Sequence, residues 1–206
     1  MRPLRIVAIE LLVLSAALGS AAGQTDQKPP VTPAKETAAD PATEAKPGPQ
    51  IERLLKALEG TWSIKEKLAP DAATPGGATG EGKIVWRRGP GGFSVIEDYQ
   101  SKQGSREVIG LAVFWWDDTA QGYRTIWCDS TNPGGCINFK NLAHWTDGQL
   151  VLVEDYEIKG KKFVFKEVFG NITSDAFTQT LYGGESSKEL KVDQTIQATR
   201  VPGSAG

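Results

Sequence analysis

The chain has few of the residues from which catalytic and metal centres are built. It contains one histidine, two cysteines and one methionine among 206 residues. It also lacks a nucleophile-elbow serine motif, a complete glycine-rich phosphate loop and a cluster of metal ligands at a recognisable spacing. These absences argue against hydrolase, nucleotide-dependent and metal-dependent activities. The sequence therefore predicts a protein that is not an enzyme, with no catalytic residue, no cofactor and no metal.

An excess of basic residues is missing as well. The formal net charge is −2 at pH 7, and it becomes −3 without residues 1–23, which hold two arginines and one glutamate. Nucleic acids and anionic membranes are bound by basic surfaces, so neither is predicted as a partner. The sequence makes no prediction of oligomeric state.

The one long apolar run lies at the start of the chain. Arg2 and Arg5 precede a mostly apolar stretch over residues 6–18, which has the length of a signal-peptide core but is too short to span a bilayer. We therefore expect residues 1–23 to be a signal peptide and the protein to be exported, periplasmic or extracellular. The mature chain is predicted to have no membrane span.

Residues 24–49 have the composition of a linker. They include six prolines, no aromatic residue and one large aliphatic side chain, Val31. Such a segment buries too little apolar surface to offset the entropy of ordering it, so it is predicted to be disordered. One domain is predicted over residues 50–201, followed by a disordered tail at 202–206.

The predicted domain begins with a short helix and continues as strands. Ile51, Leu54, Leu55 and Leu58 form a one-sided apolar stripe at helical spacing, and Gly60 ends it. After Gly60 the apolar period becomes two, and turn residues separate ten predicted strands. These strands are Thr61–Leu68, Gly82–Arg88, Gly92–Ser101, Arg106–Trp116, Gly122–Asp129, Ile137–Trp145, Gln149–Ile158, Lys162–Phe169, Ala176–Tyr182 and Glu189–Arg200.

Short turns between these strands favour pairing of sequence neighbours. The predicted fold is therefore all-β, an antiparallel up-and-down β-barrel of about ten strands with a short N-terminal helix near one end. A two-sheet sandwich is the alternative. The irregular connection at residues 69–80 is expected near one mouth of the barrel.

The last predicted strand indicates how the barrel closes. Its inner face is predicted to carry Leu190, Val192, Gln194, Ile196, Ala198 and Arg200. An inward guanidinium at the strand end can stack on an indole and donate to nearby carbonyls. We expect Arg200 to meet Trp62 near one end of the barrel, as a structural contact. An arginine that reaches only water is the alternative.

The motif Gly60-Thr61-Trp62 after a helix, with Arg200 on the last strand, resembles the signature of calycins, the lipocalin-like barrels. The order Gly91-Gly92-Phe93, Glu97-Asp98-Tyr99, Phe114-Trp115-Trp116-Asp117 and Trp127-Cys128-Asp129-Ser130 resembles a bacterial family called domain of unknown function 1579. The likeness covers about residues 52–200 and departs from the family at Trp115-Trp116-Asp117 and at the cysteine pair. It implies a calycin-like barrel without implying an activity.

Cys128 and Cys136 flank a seven-residue segment that contains Pro133 and two glycines. Such a segment can turn back and place the two sulfurs on adjacent strands. In an exported protein, an even pair of cysteines at short spacing predicts a disulfide.

Aromatic residues on the strands suggest an enclosed pocket. Half of the side chains of a barrel strand face inward, and small-molecule pockets are apolar with a few polar groups. The predicted ligand-binding residues are Arg87, Glu97, Tyr99, Trp116, Tyr123, Trp127, Asp129 and Lys166. Glu66, in phase with Trp62, is expected to point inward and to pair with Arg87 or Lys166, since a buried carboxylate needs a partner. A barrel filled by its own side chains is the alternative.

The predicted function is the binding of a small, partly apolar ligand inside the barrel. One alternative is a haem-binding barrel of the nitrobindin type, for which His144 is the only available imidazole ligand. The other is a periplasmic interaction module without ligand, which would have a filled barrel and an apolar patch outside.

Overall fold

The structure, a computed structural model, describes residues 46–71, 74–158 and 160–203. The predicted signal peptide, the linker up to residue 45 and residues 204–206 of the predicted tail lie outside the described residues. Within them, helix α1 (Pro49–Leu58) comes first and strands follow. The strands are β1 (Gly60–Leu68), β2 (Ala78–Arg88), β3 (Ser94–Gln103), β4 (Arg106–Asp117), β5 (Gly122–Asp129), β6 (Cys136–Asn138), β7 (His144–Thr146), β8 (Gln149–Ile158), β9 (Lys161–Gly170), β10 (Ala176–Gly184) and β11 (Lys191–Arg200).

The predicted fold class is confirmed: the strands form one antiparallel, up-and-down sheet that curls into a barrel. The order in the sheet is β6-β5-β4-β3-β2-β1-β11-β10-β9-β8-β7, so every neighbour but one is also a sequence neighbour. The exception is the pairing of β1 with β11, in which Trp62 lies opposite Arg200. This pairing joins the first strand to the last one.

The edges of the sheet meet at a seam between β5 and β8. The sequence predicted a single strand at Ile137–Trp145, but the structure has two three-residue strands, β6 and β7, with residues 139–143 between them. Ala143 exchanges two backbone hydrogen bonds with Tyr123 on β5, at 3.0 and 2.9 Å. On the other side, Asn141 donates its side-chain N–H to the Val153 carbonyl of β8 at 2.8 Å. The irregular segment therefore connects both edges, which one straight strand would not do.

Helix α1 covers one end of the barrel, and its four predicted apolar residues are all buried. Gly60 turns the chain from α1 into β1 with φ of 122°, a conformation that other residues rarely adopt. The Trp62 indole donates to the Leu58 carbonyl at 2.7 Å, and Arg200 Nη1 donates to the Glu59 carbonyl at 2.6 Å. The Arg200 guanidinium lies 4.0 Å from the Trp62 ring centroid, so the predicted contact is present and satisfies carbonyls at the helix C-terminus.

A bulge shifts the inner face of β11. Gln194 pairs with Leu181, but Val192 pairs with the next residue, Tyr182, so Asp193 is an extra residue in β11. The alternation predicted for the last strand holds for Ile196 and Ala198, which are buried. It is wrong for Val192, which is 45% exposed because the bulge breaks the period of two.

The apolar core fills the half of the barrel next to α1. Trp62, Trp86, Phe114, Phe169 and Phe177 pack there, with ring centroids 4.8 to 6.4 Å apart. The described residues contain no helix that is both long enough and apolar enough to cross a membrane; α1 has 10 residues.

Candidate functional site

A cavity of about 260 Å³ lies in the half of the barrel away from α1. Both apolar and polar side chains line it. Its apolar wall includes Val108, Phe114, Trp127, Phe139, Phe165 and Leu181. Its polar wall includes Glu97, Tyr99, Thr125, Asp129, Glu167 and Gln179. The barrel is therefore packed at one end and hollow at the other.

Glu97 is the most unusual group in the cavity wall. It lies on β3, is 2% exposed, and its Oε1 has no hydrogen-bond partner within the described residues. Burial raises the pKa of the Glu97 carboxyl well above its ordinary value, and the charges of Glu167 and Asp98 raise it further. The Glu97 carboxyl is therefore easier to protonate than an ordinary glutamate, and its burial leaves one oxygen without a partner in the described chain.

Glu167 on β9 and Gln179 on β10 form the neighbouring part of the wall. Gln179 donates its amide N–H to Glu167 Oε1 at 2.7 Å, while its own Oε1 is buried without a partner in the described chain. Burial raises the pKa of Glu167 to about 7, and the hydrogen bond from Gln179 opposes that rise. The cavity thus holds two carboxyl groups whose pKa values are raised by burial, and the pKa of Glu167 lies near neutrality.

Glu66 on β1 is also buried inside the barrel, and its partners are not the predicted cations. Tyr99 and Ser101 donate their hydroxyls to the two oxygens of Glu66, and Gln103 donates its amide N–H at 2.9 Å. The expectation that Arg87 or Lys166 pairs with Glu66 is therefore wrong. Three neutral donors on β3 satisfy the buried carboxylate instead, and Glu66 raises the pKa of Tyr99 together with burial.

Trp127 owes its position to a glycine on the next strand. A Cβ atom on Gly110 would overlap the six-membered ring of Trp127, so only glycine lets the indole lie against β4. The Trp127 Nε1–H donates to Asp129 at 2.8 Å, and the ring packs edge-on against Tyr99. The indole is therefore held flat along the wall, which leaves space in front of it.

The predicted disulfide joins Cys128 and Cys136, which lie opposite each other on β5 and β6. The loop that it closes carries two cavity residues, Asp129 and Thr131. Asp129 Oδ1 accepts the backbone N–H of Thr131 at 2.7 Å and also its hydroxyl. The disulfide thus fixes one side of the cavity mouth.

The connection 69–77 and residues of β8 and β11 form the other sides of the mouth. Ala69 and Asp71 of the connection 69–77 line it, as the sequence predicted for this irregular segment, although β2 begins at 78 rather than 82. Asp193 lies at the bulge of β11, and burial raises its pKa. Burial and the Asp193 charge raise the pKa of the neighbouring Tyr156 to about 12. The mouth is therefore largely acidic, with the exposed Arg106 as the one lysine or arginine among the described lining residues.

The structure brings four of the eight predicted ligand-binding residues to the cavity: Glu97, Tyr99, Trp127 and Asp129. Trp116 and Tyr123 lie on the same strand faces as cavity residues of β4 and β5, but nearer to α1. There Tyr123 donates to the Gln50 carbonyl at 2.8 Å and packs on Trp116. Tyr123 therefore supports the helix, and neither residue lines the cavity.

Arg87 and Lys166 lie on the outer face of the barrel. Arg87 forms an exposed ion pair with Asp98 at 2.7 Å. Lys166 is next to the inward Glu167 on β9, and alternation along a strand directs it outward, where its ammonium lies 5.7 Å from the Tyr182 ring. The prediction placed both cations one residue out of phase with the interior.

His144 does not line the cavity. It is an exposed residue of β7, at the end of the barrel near α1. The haem alternative depended on this imidazole as the proximal ligand, so the geometry does not supply that ligand. Within the described ranges, no three histidine, cysteine or acidic residues are grouped as a metal site.

Sequence reasoning missed Glu167 and Gln179, although a signal for both was present. Glu167 falls in phase with Phe165 and Phe169, and Gln179 falls in phase with Phe177 and Leu181. A polar residue in phase with apolar ones on a barrel strand points inward. Strict use of the period of two would therefore have identified both positions, whereas a search for cations did not.

Comparisons with known proteins place few limits on this site. No protein-family model and no curated protein matches the chain. A solved structure of an S-type phycobiliprotein lyase from Guillardia theta superposes with a TM-score of 0.47 and 12% sequence identity, covering 72% of this chain and 90% of that one.

Proposed function

We propose that this protein binds a small, partly apolar molecule in the cavity at the open half of its barrel. The observation that carries the proposal is the cavity of about 260 Å³, whose wall combines aromatic rings with buried polar atoms that have no partner among the described residues. A hollow interior with a few convergent polar groups is typical of small-molecule sites. A ligand-free interaction module would have a filled barrel instead.

The size of the cavity limits the ligand. An engineered apolar cavity of about 150 Å³ holds one benzene molecule. A cavity of about 260 Å³ therefore suits a single ring or a short branched chain that carries one or two polar groups. The mouth at the Asp193 bulge and the 129–135 loop leaves room for a ligand that extends outward.

We also propose that the protein is exported, has no enzymatic activity and belongs to domain of unknown function 1579. The disulfide between Cys128 and Cys136 supports export, because disulfides persist mainly in oxidising compartments. Glu97, Tyr99 and Trp127, which contribute to the resemblance, all line the cavity.

Native mass spectrometry of the protein purified from its source tests the binding proposal. We expect a reproducible added mass of a few hundred daltons or less. Ala112→Phe places a ring in the cavity and should abolish the added mass, whereas Ile109→Phe, at an exposed position on the same strand, should retain it. The bare chain mass in the unmodified protein would overturn the proposal.

A further inference from the structure

The inside of the barrel is acidic. Four glutamates, Glu66, Glu97, Glu154 and Glu167, project inward from β1, β3, β8 and β9. Their bonded partners differ: Glu66 accepts from three side chains, Glu154 accepts the Asn141 backbone N–H at 2.8 Å, and Glu167 accepts from Gln179. No lysine or arginine is among these partners. Among the described residues, the buried side-chain atoms without a partner are two acceptors, Glu97 Oε1 and Gln179 Oε1, and one donor, Trp86 Nε1, which belongs to the aromatic core next to α1. Acceptors without a partner therefore outnumber such donors.

The excess is concentrated in the cavity wall. Glu97 Oε1 and Gln179 Oε1 are both buried and have no partner among the described residues, and both residues are more than nine-tenths buried. The Gln179 amide is oriented by its donation to Glu167, which leaves its oxygen as an acceptor. A buried acceptor without a donor costs free energy, so a ligand that supplies donors gains affinity here. Three acceptor groups from three strands thus face one space.

We infer that the natural ligand of this cavity is an amine whose N–H groups bind Glu97, Glu167 and Gln179 while its apolar part packs against Trp127 and Phe165. This inference rests on the proposed binding function and specifies its ligand class. A primary ammonium has three donors, which matches three acceptor groups, and its positive charge is favoured beside two carboxyl groups. A carboxylate or phosphate ligand would meet like charge and unpaired acceptors instead.

The mouth has the same charge preference. Besides Glu97 and Glu167, the titratable residues that line the cavity are Asp71, Tyr99, Arg106, Asp129, Tyr156 and Asp193. Arg106 is exposed at the start of β4, whereas the acidic residues come from the other strands and connections. An acidic mouth with one cation attracts a positively charged molecule and disfavours an anion.

Proton release provides a second signature of an amine. Without ligand, burial raises the pKa of the Glu97 carboxyl well above its ordinary value and the pKa of Glu167 to about 7. An ammonium stabilises the ionised carboxylate, so binding releases a proton and tightens as the pH rises through 7. The affinity should rise by up to about tenfold per pH unit in this range. A neutral ligand would lack this dependence.

The test compares three probes of nearly equal shape: 2-phenylethylamine, 2-phenylethanol and 3-phenylpropanoate. Binding is measured by calorimetry and by Trp fluorescence at pH 6 and pH 8, with the full protein. We expect the amine to bind at least tenfold more tightly than the alcohol, the propanoate not to bind, and the amine affinity to be higher at pH 8.

Two substitutions test whether the carboxyl groups of the cavity wall bind the amine. Glu167→Gln should weaken amine binding by about tenfold or more, since one carboxylate is lost, and should reduce its pH dependence. Glu81→Gln is the matched control, because it removes the same charge at an exposed position of β2. It should leave the affinity unchanged.

The outcomes separate this inference from the binding proposal. Equal binding of all three probes, or tighter binding of the propanoate, would overturn the amine assignment and leave ligand binding in place. An added mass in native mass spectrometry together with no amine binding would also overturn the assignment. A bare chain mass together with no binding of any probe would overturn both.

Discussion

A pair of identical substitutions at two buried glutamates should change stability in opposite directions. Glu97 and Glu66 are equally buried, at 2% exposure, but differ in their partners. Glu97 Oε1 has no partner among the described residues, whereas Glu66 accepts hydrogen bonds from Tyr99, Ser101 and Gln103. Methionine has nearly the volume of glutamate and no hydrogen-bonding group of comparable strength. The substitution therefore tests the partners more than the packing.

We expect Glu97→Met to raise the free energy of unfolding by about 1–2 kcal/mol, because it removes an unsatisfied buried polar group. Glu66→Met should lower it by about 2–6 kcal/mol, because the buried hydroxyls of Tyr99 and Ser101 lose their acceptor at about 1–3 kcal/mol each. The Gln103 amide is only partly buried and can turn toward water.

Urea unfolding at pH 7, followed by tryptophan fluorescence and by far-UV circular dichroism, measures both changes. The slope of the free energy against urea should be equal in the three proteins, so that the midpoints report stability alone. A loss of comparable size in both variants would refute the reasoning, because burial rather than hydrogen-bond partners would then decide the sign. A stabilised Glu97→Met protein that no longer binds an amine would show that binding and stability oppose each other at this position.

Three further predictions concern closure, the loop and pH. Arg200→Met should lower the free energy of unfolding by about 1–3 kcal/mol, since it removes the stack on Trp62 and a donor to the carbonyls at the helix end, and it should leave amine affinity unchanged. An unchanged urea midpoint would contradict the closure role. Reducing the Cys128–Cys136 disulfide should lower the free energy of unfolding by about 2–3 kcal/mol, whereas dithiothreitol should not affect a variant with serine at both positions. An unchanged urea midpoint on reduction would refute this. Between pH 4.5 and 7 the native state holds a proton on Glu167 that the unfolded chain releases, so the stability contributed by Glu167 falls as pH rises, by roughly 3 kcal/mol at most. The difference in unfolding free energy between the unmodified protein and Glu167→Gln should therefore depend on pH within that window and be constant above pH 8.

The fold was largely predictable because its pairing is local. A period of two and short turns locate most strands within a few residues, and in a meander each strand pairs with its sequence neighbour. The two errors arose where pairing is not local. Residues 139–143 bond to β5 on one side and to β8 on the other, and the Asp193 bulge depends on the partner strand β10. Neither feature has a periodic signal of its own.

The sequence predicted which of these side chains face the interior, but not how far along the barrel axis they lie. Glu97, Tyr99, Trp127 and Asp129 were assigned to the interior, and all four reach the cavity. Trp116 lies on the same strand face as the cavity residue Phe114, yet it is nearer to α1. Alternation along a strand determines the face, whereas the distance from the helix depends on the register of all the strands.

The errors at Arg87 and Lys166 were of a different kind. Arg87 follows Trp86 on β2, and Lys166 lies between Phe165 and Glu167 on β9. Both are therefore outward by simple alternation, although the prediction assigned them to the ligand pocket and offered them as partners of Glu66. Neutral donors satisfied Glu66, and the cavity retained its unpaired acceptors.

The close approach of Gly110 to Trp127 links two positions that lie seventeen residues apart in the sequence. A larger residue at 110 would push the indole into the space that a ligand needs, and a smaller residue at 127 would enlarge that space. Relatives of this chain should therefore change the two positions together: a side chain gained on β4 should accompany a smaller ring on β5. Such paired replacements would alter the shape of the cavity while the helix-capped half of the barrel stays the same, so the interior can diverge among descendants without loss of the fold.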